Sequence, residues 1–414
     1  MLAGAAAARP GISKGFRLGT HRVCPPATTL SRVAPLLAGM GVTRVANLTG
    51  LDRIGLPVVA AYRPNSRSLA VHQGKGLDLA AAKASAVMEA VEFWHAEHVL
   101  KPLLWARVGD LASRHPVVDL DRLPRRRGRT GGGREPLLWI EGLDLMQGTA
   151  RWLPYELVHA DYTLPRAPGS GIFQATTNGL ASGNHLREAQ CHALAEVIER
   201  DARALWWLLD DAAKAVTRLD LAAVDDQTTR SVIDTYARAG FAVAVWDITT
   251  DVRVPAFLCR IADNAGQASG GAGFYGSGAH AERSIALLRA LLEAAQSRLT
   301  TIAGARDDFR PDEYAQYAAF ESASFAQLDS AQGRAGRRFA DVPSLAADSF
   351  DADLEWMLQR LTAVGIKEVV SVELSRPELG IPVVRIVVPG LEGMHTKTNY
   401  TPGARAQVLL AACP

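Results

Sequence analysis

Three polar side chains share one face of a helix-like segment near residue 90. Ser85, Glu89 and Glu92 stand at positions i, i+4 and i+7, and because a helix turns about 100° per residue they point the same way. Neither glutamate has a Lys or Arg three or four residues away. Two neighbouring carboxylates repel each other, and burial increases that cost. The spacing therefore predicts a positive group that compensates them.

A second long helix repeats this arrangement. The residues within about a quarter turn of one another on it are Glu188, His192, Glu196, Glu199 and Arg203. Arg200 and Arg203 each follow a glutamate by four residues, so a solvated, salt-bridged face explains this helix equally well. On a third helix Arg289, Glu293 and Gln296 share a side, whereas Arg298 is displaced from them.

Five carboxylates on two helices suit one or two hard divalent cations. Mg²⁺ prefers carboxylate oxygens and completes its shell with water and phosphate. Arg200, Arg298 and the loop of Lys75 could then hold phosphate oxygens directly. Acidic faces exposed to solvent are the alternative that spacing alone leaves open.

Composition limits the classes of function. With 414 residues, 48% hydrophobic and 21% charged, the chain can bury a large core. A net charge of +2 lacks the excess of basic residues that is typical of nucleic-acid-binding proteins. Four scattered cysteines without a C-x-x-C pair argue against a disulfide framework and fit a reducing cytoplasm. No apolar run approaches the roughly 18 residues of a membrane span.

The elements that must position these residues can be predicted from periodicity. Helices are expected at 28–39, after a capping Asp78, at 186–209, at 281–303 and near 353–365. Strand-like segments come in pairs between helices, which favours an α/β fold of the α+β type with mixed, largely antiparallel sheets. GGAGFYGSG (270–278) is expected to be a flexible turn.

The predicted organisation is a flexible tail at 1–20 and a single domain at 21–414. Within it, 125–136 is a basic, Gly-rich loop and 304–343 is loop-rich. A solvated connection explains the basic loop better than a peptide or nucleic acid patch. G271-A-G-F-Y-G276 fits a dinucleotide motif only weakly, because it lies several residues past the preceding strand. No P-loop motif is present.

Several ordered stretches together resemble the YcaO family of ATP-dependent peptide backbone modifiers. They are NLTGLDRIGLPVV, RPNSRSLAVHQGKG, AKASAVMEAVE, TTNGLASGN with EAQCHALAEVIERDA, and GSGAHAERSIALLRALLEAAQSRL. The resemblance spans roughly residues 20 to 400. It implies a non-P-loop ATP site in which glutamates from two helices bind Mg²⁺ ions that bridge the triphosphate.

The resemblance also assigns residues. Those matching the metal positions are Glu89, Glu92, Glu188, Glu196 and Glu199; those matching the ATP positions are Arg22, Thr29, Ser85, Asn184, Arg200, Gln296 and Arg298. Arg298 corresponds to a phosphate contact in a Q-x-R motif. Arg22 and Thr29 stand where the family has a Lys and a Ser. No general base can be assigned.

The family chemistry implied is transfer of the γ-phosphoryl group of ATP to a peptide amide oxygen, which makes a thioamide, an azoline or an amidine. The motifs TGLDRIGLPV and RPNSRSLAVHQGKG resemble those of stand-alone family members that form thioamides with a TfuA-like partner. Azoline formation with an E1-like leader-binding partner is the main alternative, and a non-catalytic peptide-binding scaffold is a further one. The expected partners are a peptide or protein substrate and the TfuA-like or E1-like protein. No nucleic acid or membrane is expected as a partner. Whether the chain forms a homodimer is left open.

Overall fold

The fold is described from a computed structural model, which covers residues 11–128, 135–264, 273–306, 336–393 and 400–412. Four sequence predictions fall wholly or partly outside these ranges. They concern the first ten residues of the tail, much of the basic loop 125–136 together with the segment 304–343, and the start of the G271 motif.

The α-helices and strands alternate irregularly along the chain. The helices are α1 Pro26–Val33, α2 Leu79–Glu97, α3 Val108–Ala112, α4 Leu186–Leu208, α5 Asp211–Val216, α6 Gln227–Arg238, α7 Arg283–Ala303, α8 Phe350–Ala363 and α9 Ala404–Ala412. The strands are β1 Arg44–Asn47, β2 Val58–Tyr62, β3 Val71–Lys75, β4 Leu103–Ala106, β5 Leu137–Asp144, β6 Ala150–Pro154, β7 Leu180–Ser182, β8 Phe241–Asp247, β9 Ala256–Asp263, β10 Phe274–Ala279, β11 Val370–Glu373 and β12 Val383–Val387.

Three antiparallel sheets organise these strands. One has the order β1-β2-β3, a second has β10-β9-β8, and a six-stranded sheet runs β4-β5-β11-β12-β7 with β6 added beside β5. Each pairing between these strands is antiparallel. The mixed, antiparallel α+β architecture expected from the paired strands is confirmed.

Helix boundaries follow local chemistry. Asp78 caps α2, and its side chain accepts a hydrogen bond from the N–H of Ala81 at 2.7 Å, as predicted. The first helix was predicted to reach residue 39, but α1 ends at Val33 and a short 3₁₀ turn follows at Ala34–Leu36. Pro35 explains the difference, because proline has no N–H for a continuing α-helix.

The predicted flexible turn at 270–278 is wrong where the structure describes it. Residues 274–279 form β10, which pairs along its length with β9. The prediction took these glycines as signs of a turn, but they allow β10 to pack closely against α7. A Cβ on Gly276 would collide with the backbone at Ala290, and a Cβ on Gly278 would collide with the backbone at Ala286. Glycine here permits close approach of a helix to a strand.

The long helices pack on different sheets. Helix α2 covers β2 and β3, α7 covers β10 and β9, and α4 lies against β12, β7 and α8. Gly74 lets α2 approach β3, since a Cβ there would collide with the N of Ala86. None of the helices in the described ranges is both long and apolar enough to span a membrane.

Candidate functional site

The two α2 glutamates turn toward neighbouring strands. The Ala-rich side of α2, with Ala82, Ala86 and Ala90, is buried against β2 and β3. Glu89 accepts a hydrogen bond from the N–H of Gln73 in β3 at 2.5 Å. Because small residues let the helix lie close to the sheet, the half-buried carboxylate reaches the strand backbone directly.

Glu92 is held by Ser182 at the end of β7. One oxygen, Oε1, accepts hydrogen bonds from the Ser182 N–H at 2.8 Å and from its hydroxyl at 2.7 Å. Burial raises the pKa of Glu89 to about 7, although the Gln73 N–H and Lys75 oppose the shift. Burial also raises the pKa of Glu92 to about 8; Ser182 opposes the shift and the charge of Glu89 adds to it. The two carboxylates therefore lack sufficient compensating charge.

Glu188, at the start of α4, is buried beside the N-terminal segment. Its Oε2 accepts from the N–H of Val23 at 2.8 Å, and its Oε1 lies 3.6 Å from Arg22 Nε. Asn184 donates to Oε1 at 3.3 Å and accepts from the Thr29 hydroxyl at 2.9 Å. The structure therefore brings these predicted ATP-site residues together around one predicted metal ligand.

Three turns after Glu188 on α4, Glu199 contacts β10. Its Oε1 accepts from the Ser277 hydroxyl at 2.7 Å and from Arg200 at 3.0 Å, and its Oε2 accepts from the Ala279 N–H at 3.1 Å. Arg200 also lies 3.8 Å from Glu196. Burial raises the pKa of Glu196, against the opposing charge of Arg200.

These contacts decide between the two interpretations of the α4 face. Glu188 is 1% exposed and Glu199 is 2% exposed. Buried carboxylates are retained only where cations or hydrogen bonds compensate them. A solvated acidic face is therefore excluded for these two positions.

Helix α7 adds a sixth carboxylate. Glu293 accepts from Lys75 Nζ at 2.7 Å and from the Ser277 N–H at 3.2 Å. Burial opposes ionisation of Glu293, but Lys75 and Arg200 outweigh it and lower its pKa. Since Ser277 also donates to Glu199, β10 joins α4 to α7 at this point.

Two predicted ATP-site residues of α7 lie in different surroundings. Gln296 is half-buried, and its carbonyl accepts from the Thr300 hydroxyl at 2.8 Å. Arg298 is paired with Asp52 at 3.2 Å and lies over the rings of Phe241 and Phe274. Within the described residues Arg298 forms no hydrogen bond or ion pair with the glutamates of α2 and α4, so its role as a phosphate contact stays a prediction.

The six glutamates form one electrostatic unit. The charge of Glu196 helps to raise the pKa of both Glu89 and Glu92, so α2 and α4 present their carboxylates to the same space. Ser85, one turn before Glu89 on α2, is exposed. We call this unit, formed by Glu89, Glu92, Glu188, Glu196, Glu199 and Glu293, the carboxylate cluster.

The donor set of this cluster fits Mg²⁺ that is shared with a phosphate ligand. Carboxylate oxygens are hard ligands, and Mg²⁺ usually takes one or two of them and fills its shell with water and phosphate oxygens. Burial raises the pKa values of three of the carboxylates, on Glu89, Glu92 and Glu196, and a cation bound beside them would favour their ionised forms. Arg22, Lys75 and Arg200 at its border are suited to bind phosphate.

A tighter group of potential ligands lies next to this cluster. Among the described residues, His21, His280 and Asp353 place one ligand atom each within 4.8 Å of one another. However, Lys14 Nζ already lies 2.7 Å from Asp353. Burial lowers the pKa of His21 to about 3, and Lys14 and Arg22 contribute to the shift. The positive surroundings disfavour a divalent cation in this group.

Sequence reasoning missed three residues that contact predicted site residues. Ser182 lies in the LASGN stretch, two residues before Asn184, where its proximity to a predicted ATP residue was a usable signal. Ser277 was not considered because the segment 270–278 was predicted to be a turn, whereas it lies in β10. Asp52 follows the TGL stretch, and nothing in its spacing indicated that it would pair with Arg298.

This chain is similar in sequence to several known proteins. A family model described as YcaO cyclodehydratase, ATP- and Mg²⁺-binding, matches residues 73–392. An uncharacterised protein in the tfuA 3′ region of Rhizobium leguminosarum bv. trifolii is 39% identical over 382 residues, which cover 90% of this chain and 88% of the relative.

Solved structures share the fold. YcaO from Methanopyrus kandleri, bound with AMPPCP and Mg²⁺, is 23% identical with a TM-score of 0.72, and the match covers 92% of this chain and 95% of that one. A heterocyclase in complex with substrate and cofactor is 22% identical with a TM-score of 0.75; the match covers 90% of this chain and 53% of that one. The expectation of ATP and Mg²⁺ is confirmed by the family description. With three quarters of its length matched by the family model, this chain belongs to the YcaO family.

Proposed function

We propose that this protein uses ATP and Mg²⁺ to activate backbone amides of a peptide or protein by O-phosphorylation. The observation that carries the proposal is the carboxylate cluster, in which the buried Glu188 and Glu199 of α4 and half-buried glutamates of α2, α4 and α7 lie beside Arg22, Lys75 and Arg200. Family membership supports the ATP and Mg²⁺ part.

An amide oxygen is a poor leaving group, and phosphorylation makes it a good one. In the proposed reaction a nucleophile adds to the carbonyl carbon, the oxygen takes the γ-phosphoryl group, and phosphate departs. The net change with hydrosulfide is amide plus ATP to thioamide, ADP and phosphate. Positioning and charge neutralisation dominate such phosphoryl transfers, and metal ions and arginines are the groups that supply them.

We further propose that the product is a thioamide and that a TfuA-like protein is the partner. The relative whose gene lies in the tfuA 3′ region supports this branch. Azoline formation is the second candidate, favoured by the cyclodehydratase description of the family and by the similarity to a heterocyclase. We expect the reaction to take place in the cytoplasm, where ATP is supplied.

The metal and nucleotide part is tested by Glu89→Gln and Glu199→Gln in the full chain. Each substitution keeps the shape of the side chain and removes a charge that the proposed cations need. We expect Mg²⁺-dependent ATP binding to fall at least about 100-fold in calorimetry, while circular dichroism stays unchanged. Glu355→Gln, on the exposed side of α8, is the matched control. Unchanged ATP affinity in both variants would refute the site.

The product is tested by mass spectrometry of neighbouring-gene peptides co-expressed with this chain and its partner. A mass change of about +16 Da means that sulfur has replaced oxygen, and about −18 Da means that water has been lost. Unmodified peptide despite ATP binding would favour the scaffold alternative.

A further inference from the structure

A cavity that shares no residue with the carboxylate cluster lies elsewhere in the fold. It has a volume of about 330 Å³, enough for two or three amino-acid residues in an extended segment. The residues that line it are Arg126, Glu156, His159, Asp161, Tyr162, Arg166, Ser170, Gln174, Ala175 and Thr176. Nearly all of them come from the connection between β6 and β7.

The wall of this cavity contains a buried hydrogen-bond donor. His159 is 6% exposed and stacks on Tyr155 with ring centroids 4.5 Å apart. Its Nδ1 accepts from the N–H of Asp161 at 3.1 Å, so the neutral ring carries its proton on Nε2. That Nε2 is buried and has no hydrogen-bond partner within the described ranges. A buried donor without a partner is costly unless a ligand satisfies it.

The carboxylates of the cavity are already engaged. Glu156 accepts from three consecutive backbone N–H groups, at residues 171, 172 and 173, at 2.5, 3.2 and 3.1 Å. Asp161 is paired with Arg67 at 2.9 Å and accepts from Thr163. Neither acid is therefore available to neutralise a further cation.

Two arginines remain available. Arg126 and Arg166 line the cavity, and neither has a carboxylate partner in the part of the chain that the structure describes. A guanidinium group binds a carboxylate through two parallel hydrogen bonds. The charge balance at the mouth therefore favours an acidic ligand.

Arg385 connects this cavity with the carboxylate cluster. It is a buried residue of β12 that donates to the carbonyl of Leu157 at 2.9 Å and to the carbonyl of Thr176 in the cavity wall. Its charge interacts with Tyr162 on the cavity side and with Glu196 on the cluster side. Arg385 therefore has partners on both sides, in the wall of the cavity and in the carboxylate cluster.

We propose that this cavity binds the acceptor peptide, with His159 Nε2–H donating to a main-chain carbonyl and Arg126 with Arg166 binding an acidic side chain next to it. The substrate class is therefore a peptide with Asp or Glu beside the modified residue. This assignment rests on the proposed function, which it extends from the nucleotide to the acceptor.

The test uses the full chain and two matched probes, acetyl-Gly-Asp-Gly-amide and acetyl-Gly-Asn-Gly-amide. In calorimetric or NMR titration we expect the Asp probe to bind at least about tenfold more tightly than the Asn probe. The double variant Arg126→Gln, Arg166→Gln should reduce that ratio to near one. Equal binding of the two probes to the natural chain, or an unchanged ratio in the double variant, would overturn the proposal.

A second variant tests the histidine. His159→Phe keeps a ring stacked on Tyr155 and removes the Nε2 donor, so both probes should weaken by about the same factor, roughly fivefold or more. MgATP affinity, measured in parallel, should stay unchanged in all these variants. A natural chain that binds the Asp probe but not MgATP would refute the proposed function and leave the peptide site standing. Full probe binding by His159→Phe would contradict the role of His159.

Discussion

Ser182 donates two hydrogen bonds to the same oxygen of Glu92, one from its N–H at 2.8 Å and one from its hydroxyl at 2.7 Å. Ser182 ends β7 in the six-stranded sheet, whereas Glu92 belongs to α2, which covers a different sheet. This double contact therefore sets the distance between α2 and the start of α4.

Replacement of Ser182 by Ala removes one of these two hydrogen bonds. Since both of them oppose the effect of burial on the pKa of Glu92, we expect the pKa of this carboxyl to rise further. Mg²⁺ then competes less well with the proton, and MgATP affinity at pH 7 should fall several-fold, on the order of 1 kcal/mol. Titration calorimetry measures the change.

Ser182→Thr retains the hydroxyl and serves as the control for the side-chain hydrogen bond. It should bind MgATP more tightly than the Ala variant. Equal affinities in the Ala variant and the natural chain would mean that the hydroxyl contributes nothing to metal binding.

Mg²⁺ binding should depend on pH because two of the expected ligands are partly protonated near neutrality. The pKa values of Glu89 and Glu92 are about 7 and about 8 in the metal-free protein, and the cation needs the ionised forms. We expect affinity for Mg²⁺ in the presence of ATP to increase at least about tenfold from pH 6 to pH 8, with proton release. Calorimetry in two buffers of different ionisation enthalpy detects those protons.

The same groups act on stability in the opposite direction. Their pKa values lie above 4.5, the ordinary value of a glutamate, so between about pH 5 and pH 8 the folded chain binds more protons than the unfolded chain. Their contribution to the free energy of unfolding therefore decreases as pH rises through this range. Glu89→Gln should reduce this dependence in urea unfolding without metal, and an unaltered pH profile would contradict the assignment.

Gly74 is a structural requirement for the position of Glu89. An added Cβ collides with the backbone N of Ala86, so Gly74→Ala must push α2 away from β3 and lengthen the Gln73–Glu89 hydrogen bond. We expect a loss of about 2 kcal/mol or more in the free energy of unfolding, measured in urea, together with weaker MgATP binding.

Gly50→Ala is the matched control, since no atom lies within 4 Å of the added Cβ and the backbone there is not left-handed. It should leave both measurements nearly unchanged. If Gly74→Ala behaves like this control, then the close approach of α2 to β3 does not position the site.

Much of this architecture could be predicted from periodicity. Helix α4 was placed at 186–209 and extends over Leu186–Leu208, because its apolar side repeats at helical spacing over six turns. That Glu89 and Glu92 share one helix face could also be predicted, because helix geometry alone determines which residues lie on the same face. These are local relationships, and local sequence determines them.

The rest depends on contacts between distant segments. The sequence could not show that Ser277 would lie 2.7 Å from Glu199, because 78 residues separate them and a Gly-rich strand resembles a turn. Likewise, the position of Arg298 follows from Asp52, 246 residues away. Such pairings follow from the packing of α7 on β10, which only the folded chain defines.

Lys75 borders the carboxylate cluster and supplies a positive charge that belongs to the protein itself. Its ammonium group neutralises Glu293 at 2.7 Å, and Arg200 does the same for Glu199 at 3.0 Å. If Mg²⁺ takes over these carboxylates, both basic side chains are released toward the phosphates that arrive with it. Mg²⁺ would then replace Lys75 and Arg200 as the counter-ions of these carboxylates, while the phosphates replace the carboxylates as partners of the two basic side chains. Metal and nucleotide would therefore bind together, and each would bind weakly without the other.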